Sequence, residues 1–94
     1  MREAALITGG AKRIGKEIAL LLSVLGFDIA LHYSRSKSDA LQTAPNIQSH
    51  GADCELFSRD LNSLNQTKSL ITRVKKRFPQ LAILVNSASI FETS

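Results

Sequence analysis

Cysteine, proline and aromatic residues are all scarce in this chain. Cys54 is the single cysteine among 94 residues, so no disulfide can form within the chain, and a cytoplasmic protein is expected. No apolar run approaches the ~20 residues that cross a bilayer, which excludes a membrane-spanning helix. Met1-Arg2-Glu3 leads directly into an apolar segment and leaves no room for a signal peptide. The four phenylalanines and one tyrosine do not interleave with a basic stripe, so the net charge of +4 does not read as a nucleic-acid surface. Much of that charge sits in Lys75-Lys76-Arg77, where cations at the end of a helix complement its dipole. His32 and His50 have no carboxylates or cysteines at ligand spacing, so no metal site is expected. His32 reads as a strand-end residue and His50 as a helix C-terminal cation.

With 44% hydrophobic residues, the chain can build a packed core, and its length fits one small domain. Apolar runs alternate with helical patterns. Ala4–Thr8 reads as a strand. Lys12–Leu25 follows as a helix, with Ile14, Ile18, Leu21, Leu22 and Leu25 on one face and Gly26 placed to cap it. Phe27–Tyr33 is a second strand. Ser36–His50 is a weaker helix with Leu41, Ala44 and Ile47 inward, and Pro45 predicts a kink or an early break. Ala52–Phe57 is a third strand. Ser63 with Gln66 forms a capping box for a helix that runs to about Phe78, turns Leu64, Leu70, Ile71, Val74 and Phe78 inward, and stops at Pro79. Leu81–Asn86 is a fourth strand, almost wholly apolar, as strands covered on both faces are. The order β-α-β-α-β-α-β predicts an α/β fold with a Rossmann-type parallel sheet and helices on both faces. Ligands of such sheets bind beyond the carboxyl ends of the strands, here at Thr8–Gly15, Tyr33–Ser36, Arg59–Leu61 and Asn86–Phe91.

The first of these segments is Thr8-Gly9-Gly10-Ala11-Lys12-Arg13-Ile14-Gly15. A glycine turn between a strand and a helix lets the backbone approach a ligand closely, and the helix N-terminus favours negative charge. Lys12 and Arg13 add two cations, so the ligand is expected to carry phosphate. The spacing G-x-G-x-x-G is absent; the turn reads T-G-x-x-x-R-x-G. After the second strand, an NAD-selecting protein usually places an acid on the ribose 2′-hydroxyl. This chain has Tyr33-Ser34-Arg35-Ser36 there, and the nearest acid, Asp39, lies inside the next helix. An arginine flanked by hydroxyls suits a 2′-phosphate, which predicts NADP(H) in preference to NAD(H).

These motifs together resemble the short-chain dehydrogenase/reductase family. Its T-G-x-x-x-G-x-G turn matches Thr8, Gly9 and Gly15, with Arg13 in place of the middle glycine. Its aspartate after the third strand matches Asp60, and its N-N-A-G matches Asn86-Ser87-Ala88-Ser89. Arg13, Ser89 and the segment Leu31–Ser36 are similar to the pteridine reductase branch, with its T-G-x-x-[KR]-R-[IL]-G turn and later N-x-A-S-x-F. The resemblance implies a set of roles. Gly9, Arg13 and Ile14 would hold the cofactor at the turn. Tyr33, Ser34, Arg35 and Ser36 would bind the 2′-phosphate. Asp60 and Leu61 would line the adenine pocket. Asn86, Ala88 and Ser89 would lie along the cofactor. Arg13, Ser89 and Phe91 would meet the substrate, Phe91 by stacking on a pterin. The implied activity is NADPH-dependent reduction of a pterin. A carbonyl or 3-oxoacyl thioester is the alternative substrate, and a nucleotide-binding module without catalysis is a second alternative. The family also implies a homotetramer.

The family reduces its substrates with a tyrosine acid held near a lysine four residues on, which lowers the tyrosine pKa. Tyr33 and Lys37 have that spacing, but this layout puts Tyr33 at the ribose end of the cofactor, far from the nicotinamide. No catalytic residue is therefore assigned. Residues 1–94 are expected to be the N-terminal, cofactor-binding half of a reductase, inactive alone, with the remainder a separate chain or a missing segment. In a half sheet Ile83, Leu84 and Val85 would lie on an uncovered edge.

Overall fold

The computed structural model describes residues 2–11, 13–61 and 63–87. Four strands, β1 (Ala4–Thr8), β2 (Asp28–Tyr33), β3 (Cys54–Ser58) and β4 (Leu81–Asn86), alternate with three helices, α1 (Arg13–Val24), α2 (Lys37–Gln48) and α3 (Leu64–Arg77). The strands form one sheet in the order β3-β2-β1-β4, and every pairing is parallel. This is the Rossmann-type arrangement the alternating pattern predicts, with each expected element present.

Strand alternation sorts the core into two layers. Ala5, Ile7, Ile29 and Leu31 point to the face covered by α1 and α2, where Ala19, Ala40 and Ile47 meet them. Ala4, Leu6, Ala30 and Phe57 point to the face covered by α3, against Leu70, Val74 and Phe78. All five residues of β1 are buried, because β1 is central and covered on both sides. The chain moves outward from β1 to β3 and then crosses back to β4 over the opposite face. The strand order therefore reverses between β1 and β4, the crevice where open α/β sheets bind ligands.

Three helix faces differ from their sequence reading. In α1 the residues against the sheet are Gly15, Ala19 and Ser23, while Ile14 (72% exposed), Leu21 and Leu25 face outward. The helix approaches the strands closely on a stripe of small residues. Ile18 and Leu22 flank this stripe and are partly buried. In α2 the buried residues are Ala40, Thr43 and Ile47; Leu41 is exposed. In α3 Leu64 is exposed in the first turn, while Leu70, Val74 and Phe78 are buried as expected.

Pro45 neither breaks nor shortens α2, which continues to Gln48. The ring costs one backbone donor, and on the exposed side of the helix water can satisfy the carbonyl so released. The capping box at α3 is half formed. Ser63 Oγ accepts the Gln66 N–H at 3.2 Å, but the Gln66 side chain accepts from Arg59 Nη1 at 3.1 Å. On β4, Ile83 and Val85 pack on the α1 side of the core and Leu84 is exposed. No helix among the described residues is long and apolar enough to cross a membrane.

Candidate functional site

The carboxyl ends of the four strands form a row: Arg59-Asp60-Leu61 after β3, Ser34-Arg35-Ser36 after β2, the glycine turn after β1, and Asn86-Ser87 at β4. Adjacent strands lie about 4.8 Å apart, so the row spans roughly 14 Å across its three gaps. All the expected site residues within the described segments fall on it. Ala88, Ser89 and Phe91 lie outside the described residues, as does Lys12.

The turn after β1 is fixed by steric need. Gly9 has φ 63°, in the left-handed region that side chains rarely occupy. Gly15 is the point where α1 touches both the turn and β4. A Cβ there would meet the Gly9 carbonyl oxygen and would lie 2.5 Å from Ser87 Oγ. The absence of a side chain lets the first turn of α1, with its unsatisfied N–H groups and positive dipole end, sit directly against the strand ends. A cleft of about 250 Å³ opens at this point, lined by Gly9, Arg13, Ile14, Gly15, Ile18, Val85, Asn86 and Ser87. A larger hollow of about 600 Å³ lies between α1 and α2 and shares Arg13, Ile14 and Ile18 with it.

Arg13 has φ 60°. It occupies the left-handed conformation that a glycine adopts without a Cβ penalty. For a non-glycine residue this costs on the order of 1–3 kcal/mol, and strain of that size beside a cleft is a mark of a binding site.

The two strands beside the cleft are fastened at their ends. Thr8 Oγ1 donates to Asn86 Oδ1 at 2.8 Å, and the Ser87 hydroxyl and N–H both donate to the Thr8 carbonyl. Asn86 is thereby held at the lip of the cleft. Thr43 on α2 reaches the Ala11 carbonyl at 3.1 Å and steadies the turn from above.

His32, expected only to end a strand, is buried and joins three segments. Its Nδ1 accepts the Gly9 N–H at 3.0 Å, and its Nε2 lies 2.7 Å from the Arg59 carbonyl. Burial holds its pKa below the usual histidine value, against the opposing pull of the Arg59 carbonyl. Arg59 in turn donates to Gln66 Oε1 at 3.1 Å and to Ser69 Oγ at 3.0 Å, tying the end of β3 to α3. Strand parity was the available signal, since Leu31 inward on the α1 face puts His32 on the other side, beside Phe57. His50, at the end of α2, pairs its Nδ1 with Ser23 Oγ of α1 at 2.7 Å. Burial, with Glu55 alongside, pushes the Cys54 thiol up to about 12, so it stays protonated and inert as a nucleophile.

Fold and site together define a Rossmann-type α/β domain with a glycine turn and a cleft where β1 meets α1. A model of the short chain dehydrogenase family matches residues 3–94, and the chain belongs to that family. It is 33% identical over 90 residues to the 3-oxoacyl-(acyl-carrier-protein) reductase FabG of Staphylococcus aureus, covering 96% of this chain and 37% of that protein. It is also 33% identical to the short-chain dehydrogenase/reductase homolog YusS of Bacillus subtilis, covering 96% of this chain and 83% of that protein. Among solved structures, acetoin dehydrogenase from Enterobacter cloacae superposes with a TM-score of 0.90 at 32% identity, covering 98% of this chain and 36% of that one. A dehydrogenase from Burkholderia cenocepacia solved with bound NADP superposes with a TM-score of 0.85 at 32% identity, over 90% of this chain and 33% of that one. This chain thus spans little more than a third of FabG. The similarity is to the family and to these members, not to the pteridine reductase branch in particular.

Proposed function

We propose that this chain supplies the NADP(H)-binding part of an oxidoreductase that acts on a carbonyl substrate, of the 3-oxoacyl thioester or simple ketone type. The carrying observation is the seat made by Gly15, where the N-terminus of α1 meets the Gly9 carbonyl after β1 and Ser87 Oγ after β4 with no room for a Cβ. That seat fits a pyrophosphate: first-turn N–H groups, a dipole end and the Arg13 cation converge on it. Arg35 is exposed at the end of β2, where it can pair with a 2′-phosphate. Asp60 and Leu61, after β3, take the adenine end of the row. Asn86, held by Thr8, takes the end where the substrate is reduced.

A dinucleotide held there would supply hydride chemistry toward a carbonyl carbon. The residues of this chain bind and orient it; the tyrosine–lysine pair that protonates the oxygen is not among them, and the 94 residues alone are read as inactive. Partnership with the remainder of the reductase, a homotetramer and a cytoplasmic location belong to the same reading.

A carbonyl is preferred to the pterin expected from the sequence, because the similar proteins include a 3-oxoacyl reductase and an acetoin dehydrogenase. NADPH and NADH titrations of the chain test the cofactor. The substrate is tested by kcat/KM for an acetoacetyl thioester, a small diketone and a dihydropterin in the enzyme completed with its remaining segment. Faster turnover of the pterin would return the reading to the pteridine reductase branch.

A further inference from the structure

Both glycine N–H groups at the start of the phosphate turn end on one residue. The Gly9 N–H donates to His32 Nδ1 at 3.0 Å and the Gly10 N–H to the His32 carbonyl at 3.0 Å. The ring's Nε2 is 2.7 Å from the Arg59 carbonyl. An amide N–H only donates and a carbonyl only accepts, so both ring nitrogens have fixed roles: Nδ1 accepts and Nε2–H donates. That is a single neutral tautomer. A proton added to Nδ1 would face the Gly9 N–H and break the bond.

We propose that His32 is a positioning residue for the cofactor phosphate: it holds the Gly9 and Gly10 N–H groups inside the protein, leaving the phosphate to the first-turn amides of α1, and couples the turn through Arg59 to the end of β3. This rests on the dinucleotide reading of the turn. Placement supports it. His32 is 2% exposed, on the sheet face covered by α3, beside Phe57. Charged groups of the elements packed on that side include Arg59 and Asp60 after β3, Arg73 of α3, whose guanidinium lies 5.6 Å from the centre of the Phe57 ring, and Arg77 of α3, 4.4 Å from the centre of the Phe78 ring; β1 carries no charged residue. Arg59 Nε is buried with no hydrogen-bond partner among the described residues, and its guanidinium donates to Gln66 and Ser69. The His32–Arg59 carbonyl bond, beside the Arg59 N–H bond to the Tyr33 carbonyl at 3.2 Å, ties this loop to the turn through β2.

The two halves of the clamp are separable by substitution. The δ atoms of asparagine overlay Nδ1 and can accept from Gly9. The ε atoms of glutamine overlay Nε2 and can donate to Arg59. The expected result is that His32→Asn binds NADPH within about twofold of wild type while His32→Gln and His32→Leu bind about tenfold more weakly, the scale of one lost buried hydrogen bond. Wild-type affinity falls only as pH drops toward the ring's folded-state pKa, which burial holds below the usual histidine value, and the difference from His32→Asn isolates the imidazole from the titration of the 2′-phosphate itself. The Gly9 amide resonance without ligand reads the clamp directly, retained in His32→Asn and displaced in His32→Gln. Equal weakening by asparagine and glutamine, or unchanged binding in His32→Leu, overturns the proposal. Wild type that binds no NADPH overturns the dinucleotide reading and the role at the phosphate, while the Gly9 amide still reports whether His32 holds the turn.

Discussion

Ser87 Oγ of the β4 end lies 2.5 Å from the position a Cβ on Gly15 would take. Helix and strand end therefore touch through a hydrogen atom, and the phosphate seat exists because they do. Gly15→Ala sets two effects against each other. Alanine favours a helix interior by about 1 kcal/mol. Overpacking against fixed backbone costs typically ~1–3 kcal/mol, and here the clash includes the Gly9 carbonyl, which cannot rotate away. The strain wins. Chemical denaturation should show a net loss of stability, and calorimetric titration should show weaker NADPH binding as α1 is pushed off β4. Unchanged binding in a folded Gly15→Ala protein would disprove the seat.

Arg13 offers the opposite trade. Its φ of 60° costs roughly 1–3 kcal/mol as arginine, whereas glycine there loses about 0.5–1 kcal/mol to chain entropy. Arg13→Gly is expected to raise stability slightly, by about 0.5–1 kcal/mol. It should also weaken NADPH by the ~1.5–3 kcal/mol of a charge-assisted hydrogen bond. Thermal unfolding and a binding titration on the same sample measure both. A variant that loses stability shows that the side chain, not the backbone, dominates at this position.

How legible all this was differs between levels. Element order and sheet topology followed from apolar runs alternating with helical patterns, because β1 is buried on both faces and is apolar from Ala4 to Ile7, and β2 carries Ile29-Ala30-Leu31 at its centre. The inward face of α1 was misread because the sequence signal comes from large residues, and α1 packs on Gly15, Ala19 and Ser23. The glycine turn was legible because its requirement is local. The role of His32 was not, since its partners Gly9 and Arg59 are 23 and 27 positions away, and only the parallel register of β1, β2 and β3 brings them to one ring.

Arg35 tests the choice of cofactor. It is exposed just past β2, where an acid would select the free ribose hydroxyl. Arg35→Ala should weaken NADPH by about 1.5–3 kcal/mol and leave NADH nearly unchanged, because only NADPH carries the 2′-phosphate. Dissociation constants for both nucleotides in both proteins decide it. Equal losses would mean that Arg35 shapes the loop and does not read the phosphate.

Stability should also carry the mark of His32. Its folded-state pKa is lowered from 6.5 by burial, so between the folded and unfolded values the unfolded chain binds more protons. Stability then rises with pH in that interval. The contribution of His32 is fully present above pH 6.5 and is lost progressively as pH falls toward the folded value. Removing the imidazole removes the slope. Urea unfolding at a series of pH values from neutral to mildly acidic should show a decline in wild type that is shallower in His32→Asn, which keeps the Gly9 bond but has no proton to gain. If His32→Asn keeps the full wild-type slope, the buried ring beside Gly9 is not the source of the acid sensitivity.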